Sequence, residues 1–188
     1  MDQVTTFMDK QLVSNKRTAE DKILTKTMIN NYTKNNLLPP PDKKKYSKNH
    51  IILLIYIYYL KNFISITDIK NLLEPMIDTY FDDGTDADAL FKIYESVFEL
   101  ETTHHDSVAK GVYECKCLAE SKFPEADDKY LHDIAFILVM SYDIYLKKQI
   151  IESMIDKMVE ARPTKDVANE KIKEKPTKDK NKDKVKTK

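Results

Sequence analysis

The chain has 188 residues, 41% of them hydrophobic and 33% charged, with two glycines and no tryptophan. So little glycine argues against hairpin-rich β architectures, whose tight turns need residues that tolerate positive φ, and points to helices joined by short polar loops. The formal net charge of zero hides a segregation: residues 22–75 carry nine lysines against three acids (+6), residues 76–133 five lysines against fifteen acids (−10), and residues 161–188 eleven basic residues against five acids (+6). A basic block, an acidic block and a basic tail are expected to have different roles. The first is where phosphate contacts are expected.

In chain order, Phe7, Met8, Gln11 and Leu12 suggest a short first helix. Thr25 then reads as an N-cap before KTMINNYTKNN. Ile29 and Tyr32 share one face of that helix, while Thr27, Asn30, Asn31 and Lys34, at i, i+3, i+4 and i+7, form a separate polar stripe. Pro39-Pro40-Pro41 ends the element and pushes Leu38 to an extended backbone. DKKKY follows. Ser47 is the expected cap of a helix to about Asn62 that is apolar nearly all round and so is expected to be buried on several sides. Ser65-x-x-Asp68 reads as a capping box for a helix from Ile66 to about Leu73, with a break at Pro75.

The acidic half also reads as helical. Thr85-x-x-Asp88 suits the start of a helix bearing Leu90, Ile93, Tyr94, Val97 and Phe98. Val108, Val112, Cys115 and Ala119 mark the stripe of another, with His104 and His105 in the loop before it. After Pro124 a long helix is expected over about 127–161, with Ile144, Ile151, Ile155 and Met158 as its later apolar seam. That seam could serve a dimer or be covered by the chain's own helices. From 164 onward almost nothing is apolar, and disorder is expected. The organisation read from sequence is therefore an N-terminal unit over 1–75, an acidic helical region over 76–162 and a lysine-rich tail over 163–188.

The landmarks of residues 24–73 come in an informative order: LTKTMINNYTKNNLLPPP, DKKKYS, KNHIILLIYIYYLKNF, SITDIKNLL. This pattern resembles the DNA-reading head of MerR-type regulators, and more particularly an uncharacterised bacterial family, a domain of unknown function described as MerR-like, with an MINNY…L-PPP-KKKYS core. The resemblance covers roughly the first 75 residues. It implies a mainly α protein: a winged helix-turn-helix with a short β-wing, followed by a helical bundle or dimerisation region. Where such heads carry glycine before Leu-Leu, this chain has Asn36, which also tolerates a left-handed backbone.

The residue types suit double-stranded DNA. Asparagine pairs bidentately with adenine, and lysine pairs with guanine or phosphate. Lys26, Thr27, Asn30, Asn31 and Lys34 are the candidate base-reading and flanking residues. Lys43, Lys44, Lys45 and Tyr46 are candidates for the backbone or a minor groove, and Lys48, at a helix N-terminus, for another phosphate. The plain alternative is a solvated lysine face with surface asparagines.

Other constellations have weaker readings. Cys115-x-Cys117 with His104, His105 and His132 invites a metal. But residues two apart diverge by about 200° on a helix, so a core thiol and a surface thiol are expected instead. The acid run 82–88 lacks the order and closing glutamate of a calcium loop and reads as a helix-capping linker. Tyr56, Tyr58 and Tyr59 suit core packing more than a stacking platform. No nucleophile–base pair, phosphate loop or cofactor fingerprint is visible, so a non-enzyme is expected. The apolar runs Ile51–Leu60 and Ile134–Met140 are too short to cross a membrane. No signal-peptide pattern opens the chain, and two cysteines this close fit a reducing cytoplasm. The expectation is a cytoplasmic, sequence-specific DNA-binding regulator, with a homodimer as one of the two uses of the long helix's seam and its effector unspecified. The alternative is a protein-interaction module using the helix-turn-helix as scaffold.

Overall fold

A computed structural model describes residues 1–81, 88–123 and 129–162. Six helices account for most of these: α1 (Asp2–Gln11), α2 (Lys26–Lys34), α3 (Lys48–Leu60), α4 (Ile66–Tyr80), α5 (Ala89–Lys122) and α6 (Lys129–Glu160). The first four form a head around one core. Val4 and Met8 of α1 and its C-cap Leu12 stack at four-residue spacing, and Ile29 and Tyr32 face inward from α2. Ile52, Leu53, Leu54, Ile57 and Tyr58 come from α3, and Ile69 and Leu73 from α4. α3 is buried round most of its circumference, as its unbroken apolar run requires. α5 and α6 pack along each other as an arm, whose base rests on α3 and α4.

Local chemistry sets the starts of α2, α3 and α4. Thr25 accepts from the Met28 amide at 3.1 Å, and Ser65 accepts from the Asp68 amide at 3.0 Å while donating to its carboxylate at 2.6 Å. The end of α2 is equally specified. Asn36 sits at φ 54°, and the Leu37 and Asn36 amides turn back to the carbonyls of Tyr32 (2.9 Å) and Thr33 (3.2 Å). This is a Schellman closure with asparagine in the left-handed position.

Three expectations need correction. First, α4 does not stop near Leu73; it runs through Pro75 to Tyr80. Proline has no amide hydrogen, so the Asn71 carbonyl one turn back loses its helical partner. The Arg162 guanidinium, just past α6, donates to that carbonyl and pairs with Glu74 at 3.0 Å. Second, residues 89–122 form one helix of 34 residues, not two, with His104 and His105 exposed in its middle. The polar stretch there has no proline or glycine, and Thr102 and Thr103 donate to the carbonyls of Phe98 and Glu99 one turn back. Third, no strand is formed among the described residues. The expected β-wing is a single antiparallel bridge, Asp42 with Lys45.

The seam on α6 divides. Ile155 is buried in the head core and Ile151 packs against it, while Ile144 and Met158 stay exposed. Cys115 is half-buried and Cys117 exposed. No helix is long and apolar enough to cross a membrane, and no cluster of histidine, cysteine and carboxylate residues suits a metal, both among the described residues. The acid run at 82–87 with its Thr85 cap, the Pro124 interruption, the first residues expected in the long helix (127–128), and the tail from 163 lie outside the described residues.

Candidate nucleic-acid interface

The polar stripe of α2 is fully presented. Lys26, Thr27, Asn30, Asn31 and Lys34 are all exposed, on the side opposite the buried Ile29 and Tyr32. The Thr25 cap and the Asn36 closure fix both ends of this nine-residue helix, and Ile29, with no exposed surface, holds its rotation. The asparagines thus stand on a rigid element, as base reading requires.

Between α2 and α3 the chain makes a tight hairpin. The Lys45 amide bonds to the Asp42 carbonyl at 2.7 Å, and the two residues between them, Lys43 and Lys44, sit at φ 44° and 65°. Positive φ at both central positions is the pattern of a type I′ turn, which normally takes Asn-Gly or Asp-Gly. A left-handed backbone costs a lysine about 1–2 kcal/mol relative to glycine. Lys43, Lys44 and Lys45 are exposed at the tip.

A histidine supports the base of the hairpin. His50 is buried; its Nδ1 accepts from the Ser47 amide at 3.0 Å and lies 2.8 Å from the Ser47 hydroxyl. These contacts complete a reciprocal capping box at the start of α3. An accepting Nδ1 leaves the ring proton on Nε2, which is shielded from solvent on the side of the Pro39 and Pro40 carbonyls. Burial pushes the His50 pKa below its ordinary value, partly opposed by those carbonyls. Nε2 has no hydrogen-bond partner among the described residues, so the ring is held by its bonds to Ser47 and its ring contacts. Tyr46 meets His50 edge-on at 5.3 Å, and Phe81 does so from the other side at 4.9 Å.

The structure narrows the basic surface read from the sequence. Lys26 is ion-paired with Asp2 of α1, which holds the Asp2 carboxyl below its usual range. Lys48 turns toward α5, 3.3 Å from Asp88 and 3.1 Å above the centre of the Phe91 ring. Tyr46 is half-buried against the core, and burial raises its phenol pKa. Among the described residues no acid pairs with Lys34, Lys43, Lys44 or Lys45. The remaining cationic surface is thus the end of α2 and the hairpin tip. The Lys26–Asp2 pair is exposed, and such pairs contribute little and exchange readily. Sequence reasoning missed Asp2, Asp88 and His50. Only His50 carried a local signal, its place three residues after the Ser47 cap.

No curated protein matches the chain, and no solved structure does. The family model described as "Domain of unknown function (DUF1836)" matches residues 1–97, which take in the whole head and the first nine residues of α5. With the match spanning just over half its length, the chain belongs to this DUF1836 family.

Proposed function

We propose that this protein is a sequence-specific DNA-binding protein acting as a transcriptional regulator, with a MerR-like head that reads DNA through α2 and the 42–45 hairpin. The observation that carries this reading is the hairpin tip. Two lysines occupy backbone positions where glycine or asparagine would be less strained, and they are exposed, with no acid paired to them among the described residues. Strain retained at a surface tip is expected where the side chains have a task, and for a lysine cluster beside an exposed polar helix that task is phosphate contact. Asn30 and Asn31 supply the base-reading groups and Lys34 a flanking cation.

The proposal includes a homodimer, formed by a face of α6 other than the one the sequence suggested. Leu138, Tyr142, Leu146, Ile150 and Met154 fall at every fourth residue, and each is about 40–60% exposed. Residues at i±4n make the ridges that pack helices together. A helix of 32 residues is about 48 Å long, enough to supply roughly 800 Å² per partner with its neighbour α5. Two heads held this way would face a palindromic site.

The test is selection of bound duplexes from a random pool with the full chain, followed by salt titration. A reproducible palindrome is expected. Changing Lys43, Lys44 and Lys45 to Ala should weaken binding to all duplexes alike and flatten the slope of log K against log salt by roughly one unit per lost contact. Unchanged affinity and slope would remove the hairpin from the interface. No enriched sequence at all would favour a protein-interaction module.

A further inference from the structure

His50 sits where the hairpin joins α3, and its bonds fix its protonation state. The Ser47 amide can only donate, so the His50 Nδ1 that accepts from it at 3.0 Å carries no proton. The Ser47 hydroxyl, 2.8 Å from the same nitrogen, then donates as well. The other nitrogen, Nε2, is shielded from solvent and has no hydrogen-bond partner among the described residues. The site is therefore built for the neutral ring. A proton added at Nδ1 would point at the Ser47 amide hydrogen. The charged ring would also keep its second N–H unpaired in a buried place, which is costly.

The hairpin meets this ring twice on its way into α3. Tyr46 rests edge-on against it at 5.3 Å, and the Ser47 amide is bonded to it. One residue earlier, the Lys45 amide closes the turn on the Asp42 carbonyl, across two lysines in the left-handed region. A strained turn thus leads directly into a cap that a single imidazole completes.

We propose that His50 is a pH-sensitive latch on the hairpin: on acidification Nδ1 takes a proton from solvent, the Ser47 amide and hydroxyl lose their acceptor, the ring leaves its seat, and the 42–45 turn loosens while the rest of the head stays folded. Raising the pH removes the proton and restores the capping box. The cationic tip is then held in one geometry only while His50 is neutral.

The groups around the ring favour this response. Tyr46 faces it from the hairpin, Phe81 from the C-cap of α4 at 4.9 Å, and the Pro39 and Pro40 carbonyls from the triproline segment. Burial raises the Tyr46 phenol pKa, so that group stays neutral throughout. No charged side chain among the described residues pairs with the ring. Burial outweighs the two carbonyls, so the change falls below the ordinary histidine value of about 6.5. Asp82 and Asp83, next after Phe81, lie outside the described residues and enter the test.

The test is an NMR titration of the nitrogen-15-labelled full chain from neutral to mildly acidic pH. At neutral pH the ring nitrogens of His50 should show the Nε2–H tautomer. As His50 titrates, the Ser47 and Lys45 amides should shift with the same midpoint. Corrected for the intrinsic effect of pH, the Lys45 amide should exchange roughly 3- to 10-fold faster, while that of Leu73 in the α4 core should not. His50→Gln keeps an acceptor at the capping-box position but cannot titrate, and its hairpin amides should not respond. His104→Gln, His105→Gln and His132→Gln together should leave the response intact. So should Asp82→Asn with Asp83→Asn, apart from a displaced midpoint. A proton on Nδ1 at neutral pH would overturn the proposal, as would a Lys45 amide that stays still while His50 titrates. An equal response in His50→Gln, a response lost with the other histidines or the two aspartates, or unfolding of the whole chain before His50 titrates would do the same. The wild-type spectra alone decide the first two points, even if His50→Gln does not fold. No DNA is present in the measurement, so its outcome is independent of the DNA-binding reading.

Discussion

The head and the arm are both helical, yet they solve burial differently. In the head nearly every helix turn contributes a side chain to one core, and seven of the thirteen residues of α3 are buried. Across 66 residues of α5 and α6 only Leu90, Ala119 and Ile155 are buried, and two of these belong to the head core. The arm instead exposes Phe98, Leu100, Tyr113, Leu138, Tyr142 and Ile150, each more than half exposed. A folded chain seldom leaves so much contiguous apolar surface without a use. Among the described residues the head buries its apolar side chains in one core, whereas the arm leaves many of its own exposed. The family match, which ends at residue 97 where the arm leaves the head, follows the same division.

The sharpest contrast is in the cost of losing a leucine. Leu53→Ala, at a fully buried site in α3, should cost about 2–5 kcal/mol and lower the melting temperature strongly. Leu146→Ser with Ile150→Ser should leave the melting temperature of dilute protein nearly unchanged and shift sedimentation toward the monomer. If the ridge variant unfolds the chain, the ridge is part of an internal core and the contrast fails.

The join between the two regions can be tested next. Arg162→Ala removes the donor that meets the Asn71 carbonyl and the partner of Glu74, and should cost about 1–2 kcal/mol. The carbonyl is free only because of Pro75. In a Pro75→Ala background the helix supplies its own donor, and the same change should cost measurably less. A double-mutant cycle in urea reads the difference; additive costs would mean that Arg162 acts through Glu74 alone.

Within the head, His50 makes stability depend on pH. Its folded pKa is depressed, mainly by burial, so the unfolded chain binds the proton more readily. This contribution is complete above the ordinary histidine value of about 6.5 and is lost as pH falls below it toward the folded pKa. The loss should show as a falling urea midpoint that His50→Gln makes less steep. An equal slope in the variant would assign the pH dependence elsewhere.

The smallest effect concerns the hairpin. Lys43→Asn with Lys44→Gly relieves two left-handed lysines and should stabilise the head by about 1 kcal/mol while weakening binding to any duplex. Stability and binding should move in opposite directions. If they move together, the lysines are structural.

What was legible in the sequence was local. Thr25, Ser47 and Ser65 cap the helices they were expected to cap, and Asn36 takes the left-handed position, because each depends on residues within one turn. The exposed stripe of α2 follows from spacing alone. What was not legible depended on distance. Pro75 predicts a break unless Arg162, 87 positions on, is known to stand beside Asn71. Lys26 and Lys48 read as free cations until Asp2 and Asp88 come alongside. The division of the α6 seam is set by the angle at which the arm meets the head, which no periodicity encodes. The expected loop at 104–105 came from reading polarity as irregularity; an exposed helix tolerates both.

The central claim is that α2 reads bases. It is tested most directly by comparing a selected duplex with a random duplex at one fixed salt concentration, for the wild-type chain, Asn30→Ala and Asn31→Ala. Both positions are exposed, so neither change should disturb the fold. At least one variant should lose about 1–3 kcal/mol on the selected duplex and far less on the random one, where phosphate contacts supply the affinity. Equal losses on both duplexes would make the asparagines backbone contacts only, and no loss on either would take α2 out of the interface and contradict the account.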